Sequence, residues 1–523
     1  MHARLLLAIL LLVPVASAEF GAEDEHGWPV GENGFAHDPA LRFEPAALAT
    51  IQDEAWASLT DAQKAALSVH DAPLGPINRI GPATVYPYYP IAVAEMQRLA
   101  QLHPDLVRLY SAGKSTAQLD LWMMEIGNFG DAGDDDFVPF EDREAVWIDG
   151  GTHSNEYSGV YFVLAVAQYL IESYGSDEFA TWVVDNRHTW IMPMVNPDGS
   201  HLMGRINANG VNINRNYPVI WGGEGTDLLL NNPGPSPGSE VETQINIEWF
   251  NATRPDYYAS IHCCGNLWLF PYGEDGYDPA DVDMMNRVCD EGFPIEIRDS
   301  CGPIWSTIYP ASGSSVDTAY EYTGAVSFGF EMSGRSNLAG PWGEPVTFAE
   351  VFEQEAESWQ GIQHAFEHVH RYGAYLTITD IQATDEGLRV TLQNDGMGNF
   401  TGGALRYRGE ELLDLVEYGR ADLAPLGLGE SATVFLNGDA DPGQNWFELE
   451  YPKRIWETSN IRLESQPVQA ALTDAVRFED GVWVVPVNPD AEEPEVVGSA
   501  GIPGLPVVAL VGLLATVAIL RRR

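Results

Sequence analysis

Ala145-Val-Trp-Ile148 runs into Asp149-Gly-Gly-Thr-His153-Ser-Asn-Glu156, and the amphipathic stretch Ser158 to Tyr174 follows at once. Four apolar residues closed by Asp-Gly-Gly read as a buried strand ending in a turn, and the stretch beyond has helical period. Working outward, strand-like runs recur at Leu121–Ile126, Thr189–Val195, Tyr257–Ile261 and Ala325–Met332. A second long helix is predicted over Thr347–Arg371, closed by Gly373. That alternation predicts an α/β fold, a mixed central sheet covered by helices on both faces.

The turn also carries chemistry. His153 and Glu156 stand where a strand ends, which is where open α/β sheets bind ligands. An imidazole and a carboxylate supply two zinc ligands, and a catalytic site needs a third ligand plus an open position for water. His262, at the end of Tyr257–Ile261, is the candidate third. In Val326–Met332 one strand face carries Val326, Phe328, Phe330 and Met332, and the other Ser327, Gly329 and Glu331. A lone carboxylate on an otherwise apolar strand is costly unless a cation or reacting group compensates it.

Two other motifs weigh less. Gly234-Pro-Ser236-Pro-Gly238 fits G-x-S-x-G, yet no strand precedes it and prolines enclose the serine. Ser239 with Glu242 reads instead as a capping box opening a helix over Glu240–Phe250. His364-Ala-Phe-Glu367-His368 has zinc-motif spacing, but the apolar stripe of its helix is Phe348, Phe352, Ala356, Trp359, Ile362, Phe366 and Val369. Both histidines are therefore expected to face solvent.

Five ordered blocks give the region Tyr86 to Arg371 a family likeness: GTHSNEYSG (151–159), NPDG (196–199), GRINANGVNINRNYP (204–218), SIHCCGNLWLFPYG (260–273), and IYPASGSSVD (308–317) with FEMS (330–333). In these the sequence resembles the zinc metallocarboxypeptidases, the family of pancreatic carboxypeptidases A and B and the regulatory N/E enzymes. The resemblance implies one Zn2+ per catalytic domain, held by His153, Glu156 and His262 with a water in the fourth position. It implies that Glu331 takes the water's proton and passes it to the leaving amine, while Arg205 stabilises the oxyanion. Asn214 and Arg215 would grip the substrate's C-terminal carboxylate, and Tyr309 would close over it. Val316, Ile304 and Leu269 fall at pocket positions and imply an apolar C-terminal residue. In the N/E branch the acidic specificity residue falls at Gly273, with Glu274 next to it here, which keeps a basic preference open. The short spacing from NPDG to NRNYP and the trailing β-domain resemble the N/E layout more.

Composition sets the surroundings. The chain has 523 residues, 76 acidic and 27 basic, for a net charge of -49. Phosphate is repelled by such a surface, which excludes nucleic acid as a partner. Lysine occurs only at Lys64, Lys114 and Lys453, a balance that fits a salt-adapted surface. Residues 1–18 read as a secretory signal, with a charged start, an apolar run and Ala16-Ser-Ala18. An acidic leader follows at 19–80 (Ala47 to Leu67 helical), then the carboxypeptidase domain at 81–372. Period-two alternation in Tyr375–Thr379, Leu388–Leu392, Ala432–Leu436 and Asn445–Tyr451 predicts a small β-sandwich at 373–487. An acidic linker (488–501), an apolar transmembrane or sorting segment (502–520) and Arg521–Arg523 close the chain.

Four cysteines are too few for a disulfide scaffold. Cys289 and Cys301 are placed to pair. Adjacent Cys263 and Cys264 make either a vicinal bridge or two buried thiols, the latter preferred. Asn251-Ala-Thr253 and Asn399-Phe-Thr401 are acceptor sequons. The reading is an exported, membrane-anchored zinc carboxypeptidase acting on peptide or protein C-termini. Its alternatives are a zinc amidase acting on cell-wall peptides or acylated amino acids, and a dead surface-binding protein.

Overall fold

A computed structural model describes residues 88–130, 140, 143–202, 205–227, 231–263, 265–293, 300–333, 348–384, 387–411, 414–437, 445–451, 464–467, 477–479 and 482–484. The chain divides into two compact units after Val369. The first contains α1 (Tyr88–Leu102), β1 (Val107–Lys114), β2 (Asp120–Ile126), β3 (Glu144–Gly150), α2 (Tyr157–Glu172), α3 (Glu178–Asn186), β4 (Arg187–Met192) and α4 (Pro197–Leu202). It continues with α5 (Val241–Thr253), β5 (Tyr257–Cys263), β6 (Leu267–Phe270), α6 (Val282–Gly292), β7 (Cys301–Pro303), α7 (Ile304–Thr307), α8 (Ser315–Thr323), β8 (Val326–Met332), α9 (Phe348–Gln354) and α10 (Ala356–His368).

These strands form one mixed sheet in the order β1-β2-β4-β3-β5-β8-β6-β7. The central strands β4, β3, β5 and β8 run parallel. Each is almost wholly buried on both faces because helices cover both sides. Trp147 of β3 meets Phe250 of α5 edge-on at 4.9 Å, and Val316 of α8 belongs to the same core. On the other face α2 lies unusually close: a Cβ on Gly159 would stand 2.7 Å from the Ile261 carbonyl oxygen. Only glycine permits that approach.

Three local expectations are corrected. The helix over Thr347–Arg371 is two helices, broken at Glu355, whose carboxylate turns inward to accept from Ser333 N (2.9 Å) and Oγ (2.6 Å). The apolar stripe continues past the break without Ala356, which is exposed, and Phe352 stacks on Trp359 at 3.9 Å. His364 does not face solvent. It is buried, and its Nδ1 lies where a Cβ on Gly292 would come within 3.0 Å, while His368 stays half-exposed. The Ser239–Glu242 capping box is absent as well. Ser239 Oγ donates to Glu240 Oε1 (2.7 Å), and Glu242 is drawn into the interior by Thr116 N (2.9 Å) and Asn207 Nδ2 (3.1 Å).

Cys289 and Cys301 are disulfide-bonded, joining α6 to β7. Cys263 is also in a disulfide, which overturns the preference for a buried thiol there. Its neighbour Cys264 lies outside the described residues.

The second unit contains β9 (Leu376–Thr384), β10 (Gly387–Asn394), β11 (Gly403–Glu411), β12 (Asp414–Leu423), β13 (Ser431–Asn437), β14 (Asn445–Tyr451), β15 (Glu464–Pro467), β16 (Arg477–Glu479) and β17 (Val482–Val484). Two antiparallel sheets, β13-β10-β9 and β12-β11-β14-β15, share an apolar core that includes Leu388, Val390, Leu392, Leu405, Phe447 and Leu449. Alternate residues of β10, β11 and β14 fill it, as period two requires. The segments read as signal, acidic leader, linker, 502–520 span and basic tail all lie outside the described residues. Among the described residues no helix is long and apolar enough to cross a membrane.

Candidate active site

The site lies at the C-terminal ends of the parallel strands, on the face covered by α5 and α8. After β3, Gly151 takes φ +64, a left-handed turn that an L side chain resists. Glu156 N then donates to the His153 carbonyl oxygen (2.9 Å), bringing both side chains of the turn to one side. Ser154 pins the turn to the Asn196 carbonyl oxygen. His262, near the end of β5, arrives from a strand more than a hundred residues away in sequence.

The ligand atoms of His153, Glu156 and His262 all lie within 4.8 Å of one another, and all three residues are buried. Glu156 bridges the histidines, its Oε1 3.0 Å from His153 Nδ1 and its Oε2 2.9 Å from His262 Nδ1. Each Nε2 points outward to a partner: Asn212 Oδ1 for His153 (3.1 Å) and Ser260 Oγ for His262 (3.2 Å). Burial, then the Arg205 charge, holds His153 down to about 3. Burial works against charge on Glu156, but His153, then His262, outweigh it and hold the carboxyl well below the usual carboxylate range. His262 is raised, because Glu156 outweighs its burial. Two imidazole Nδ1 atoms and an anionic carboxylate, each imidazole partnered from behind, are a donor set that fits zinc.

Parallel register sets Glu331 of β8 directly beside His262 of β5. Glu331 keeps some solvent contact, yet protein surrounds it, and burial followed by the Glu156 charge pushes its carboxyl up to about 8. Arg205, its side chain 21% exposed, donates through Nη1 to Glu156 Oε1 (2.9 Å). Arg215 is buried and anchored by its Nε to the Gly225 carbonyl oxygen (3.2 Å) and its Nη1 to the Asn214 carbonyl oxygen (2.8 Å). Burial, then Arg205, lowers its guanidinium to about 10, still charged at neutral pH. Tyr309, 45% exposed, has its phenol close enough to act on Arg215.

One pocket, of about 420 Å³ including its open mouth, gathers these groups. Its wall holds the polar His153, Arg205, Asn214, Arg215, His262 and Glu331 together with Leu269, Ile304, Val316 and Tyr309. Every predicted site residue is therefore on the pocket wall except Glu156, which sits between the two histidines. Ile308, Ala311, Ser314 and Gly329 also line it and were missed. So were Asn212, Ser260 and Asp149, whose side chains stand behind the histidines. Asp149 is wholly buried, and burial pushes it up to about 6 against hydrogen bonds from Tyr258 and Ser260. The available signal was strand alternation, since Ser260 shares the face of His262.

A family profile described as "Zinc carboxypeptidase" matches residues 92–359, just over half of the chain. The chain belongs to the zinc carboxypeptidase family. Carboxypeptidase A2 of Mus musculus is 28% identical over 301 residues, spanning 53% of this chain and 68% of that protein. Carboxypeptidase A1 of Sus scrofa is 28% identical over 314 residues, 54% of this chain and 68% of that one. Among solved structures, bovine thrombin-activatable fibrinolysis inhibitor in complex with tick carboxypeptidase inhibitor aligns at 21% identity and a TM-score of 0.44, over 53% of this chain and 95% of that one. As a zinc carboxypeptidase the protein is a metallopeptidase with zinc as its cofactor, and His153, Glu156 and His262 form the group compatible with holding it.

Proposed function

We propose that this zinc carboxypeptidase is exported and removes C-terminal residues from peptides or proteins, favouring apolar ones. The carrying observation is a pocket whose wall holds His153, His262, Glu331 and the buried Arg215 together with the apolar Leu269, Ile304 and Val316, with Glu156 between the two histidines. Zinc, when bound by that group, polarises the scissile carbonyl and acidifies a water.

The rest falls to the chain. Glu331, with its raised proton affinity, accepts the proton of the attacking water and returns it to the leaving amine. Arg205 supports the oxyanion. Arg215 and Asn214 receive the terminal carboxylate, which a guanidinium binds in bidentate fashion. Tyr309, exposed and beside Arg215, is free to close over that carboxylate.

Leu269, Ile304 and Val316 make the recess apolar, and Gly329 opens it further. A Cβ on Gly329 would fit in ordinary contact with Val316 Cγ2 (3.5 Å) and Leu269 Cβ (3.8 Å), so a larger side chain there would take up part of the recess. Glu274 does not favour the basic alternative: its Oε2 accepts from Ser312 Oγ (2.8 Å) and Glu224 N (3.1 Å). The signal at 1–18 and the apolar segment at 502–520 support export with a C-terminal membrane anchor, around a catalytic domain at 81–372 and a β-domain at 373–487. Incubating the purified protein with N-blocked dipeptides tests the reading. Release of C-terminal Phe and Leu ahead of Lys, lost with chelator and restored by zinc, is expected. No release, or Lys and Arg released first, overturns it.

A further inference from the structure

We propose that Asp149, acting through Ser260, is a positioning residue for the metal centre: together they hold His262 in the tautomer that keeps its proton on Nε2 and turns the Nδ1 lone pair toward Glu156. The inference rests on the reading of His153, Glu156 and His262 as zinc ligands.

Strands β3 and β5 are parallel neighbours with Asp149 opposite Ser260. Asp149 Oδ1 accepts from Ser260 Oγ at 2.9 Å, and its Oδ2 accepts from the Tyr258 hydroxyl at 2.7 Å. Both residues of the relay are fully buried, so no water competes for these bonds. The direction follows from counting protons. A serine hydroxyl has one proton to give and lone pairs to receive. An anionic carboxylate is the stronger acceptor and takes that proton. At 3.2 Å from His262 Nε2, Ser260 Oγ is left to accept, which places the imidazole proton on Nε2.

Asn214 opposes this. Its Oδ1 is held by Ser315 N (3.0 Å), so its Nδ2 is the atom presented to His262 Nε2, at 3.4 Å. A hydrogen bond from that amide would ask for the other tautomer. It is the longer contact, and it lacks a buried anion behind it. His153 is backed differently, by Asn212 Oδ1 at 3.1 Å, an oxygen oriented by Asn214 N at 3.0 Å. One imidazole thus leans on a neutral amide and the other on a carboxylate one hydroxyl away.

The experiment is zinc affinity, measured on the full chain by competition with a chromogenic chelator, alongside the melting temperature of each metal-free variant. Asp149→Asn should weaken zinc binding about 10- to 100-fold, because an amide can donate to Ser260 and turn its hydroxyl round toward Nε2. Ser260→Ala should weaken it about 10-fold, whereas Tyr258→Phe, which removes the hydroxyl on Asp149 Oδ2 but keeps the Ser260 bond to Oδ1, should change it by no more than about 2-fold. A merely structural role would make Tyr258→Phe and Ser260→Ala alike. Equal weakening by those two, or wild-type affinity in both Asp149→Asn and Ser260→Ala, overturns the proposal. Should Asp149→Asn fail to fold, the Ser260→Ala and Tyr258→Phe pair carries the test. A wild-type chain that takes up no zinc, or His262→Ala binding zinc as tightly as wild type, overturns the ligand assignment itself and this inference with it.

Discussion

The two units fill their interiors by different rules. The first buries Asp149, Glu156, Arg215, Glu242 and Asp317 among its apolar side chains, while in the second Asn394 is the buried polar side chain among the described residues. Burying a charge is costly unless it is paired or put to use. In the first unit Arg215 and Glu331 line one pocket and Glu156 stands between its two histidines, with Glu156 pushed down and Glu331 up in proton affinity. Two carboxylates driven apart in proton affinity are the mark of divided chemical labour. Among the described residues of the second unit the buried core holds no comparable group.

The largest expected effect breaks that contrast on the catalytic side. Glu331→Gln should lower kcat by about 100- to 10,000-fold while zinc uptake stays stoichiometric. Activity near wild type would remove Glu331 as the base. The second acts on the other unit. Leu405, fully buried, replaced by Ala should destabilise the β unit by about 2–5 kcal/mol in denaturant unfolding. The folded protein should keep its zinc affinity and kcat/KM, and a matching loss of zinc would show that the two units are not separate in function.

Smaller effects sharpen the pocket. Gly329→Val should reduce the preference for C-terminal Phe over Ala by about 10-fold in kcat/KM, because its methyls occupy the space the glycine leaves open. An unchanged ratio would place the terminal side chain elsewhere.

The smallest effect is a pH dependence of the metal-free protein. Folding raises the Glu331 carboxyl from its ordinary 4.5 to about 8, so between those values the folded chain binds a proton that the unfolded chain does not. Stability from this group is full below about pH 4.5 and is lost as pH rises toward 8. The melting temperature of Glu331→Gln, relative to wild type, should therefore climb over that range and level off above it. A flat difference would show that protein does not crowd Glu331 as described.

Much of the site was legible because its parts are local. His153 and Glu156 share one turn after a strand of recognisable apolar character, and Glu331 broke an otherwise apolar alternation. The break at Glu355 was hidden, since Phe352 stacks on Trp359 across it and the group that receives the carboxylate, Ser333, lies twenty-two residues earlier. His364 looked like a solvated residue because its own helix has no apolar neighbour on that side. The covering group, Gly292, comes from α6. The bonded state of Cys263 was likewise one of two readings that adjacency leaves open.

Residue order alone determined the alternating strand and helix pattern, the change to period two after Tyr372, and the residue types able to bind a metal or a carboxylate. Those are properties of neighbours along the chain, where backbone period and side-chain chemistry act directly. Register and close approach belonged to the tertiary structure: His262 beside Glu331, Asp149 opposite Ser260, and α2 pressed onto β5 through Gly159. Such pairings join residues tens to more than a hundred positions apart, and their distances follow from how the strands line up and how the helices pack. No local pattern encodes them.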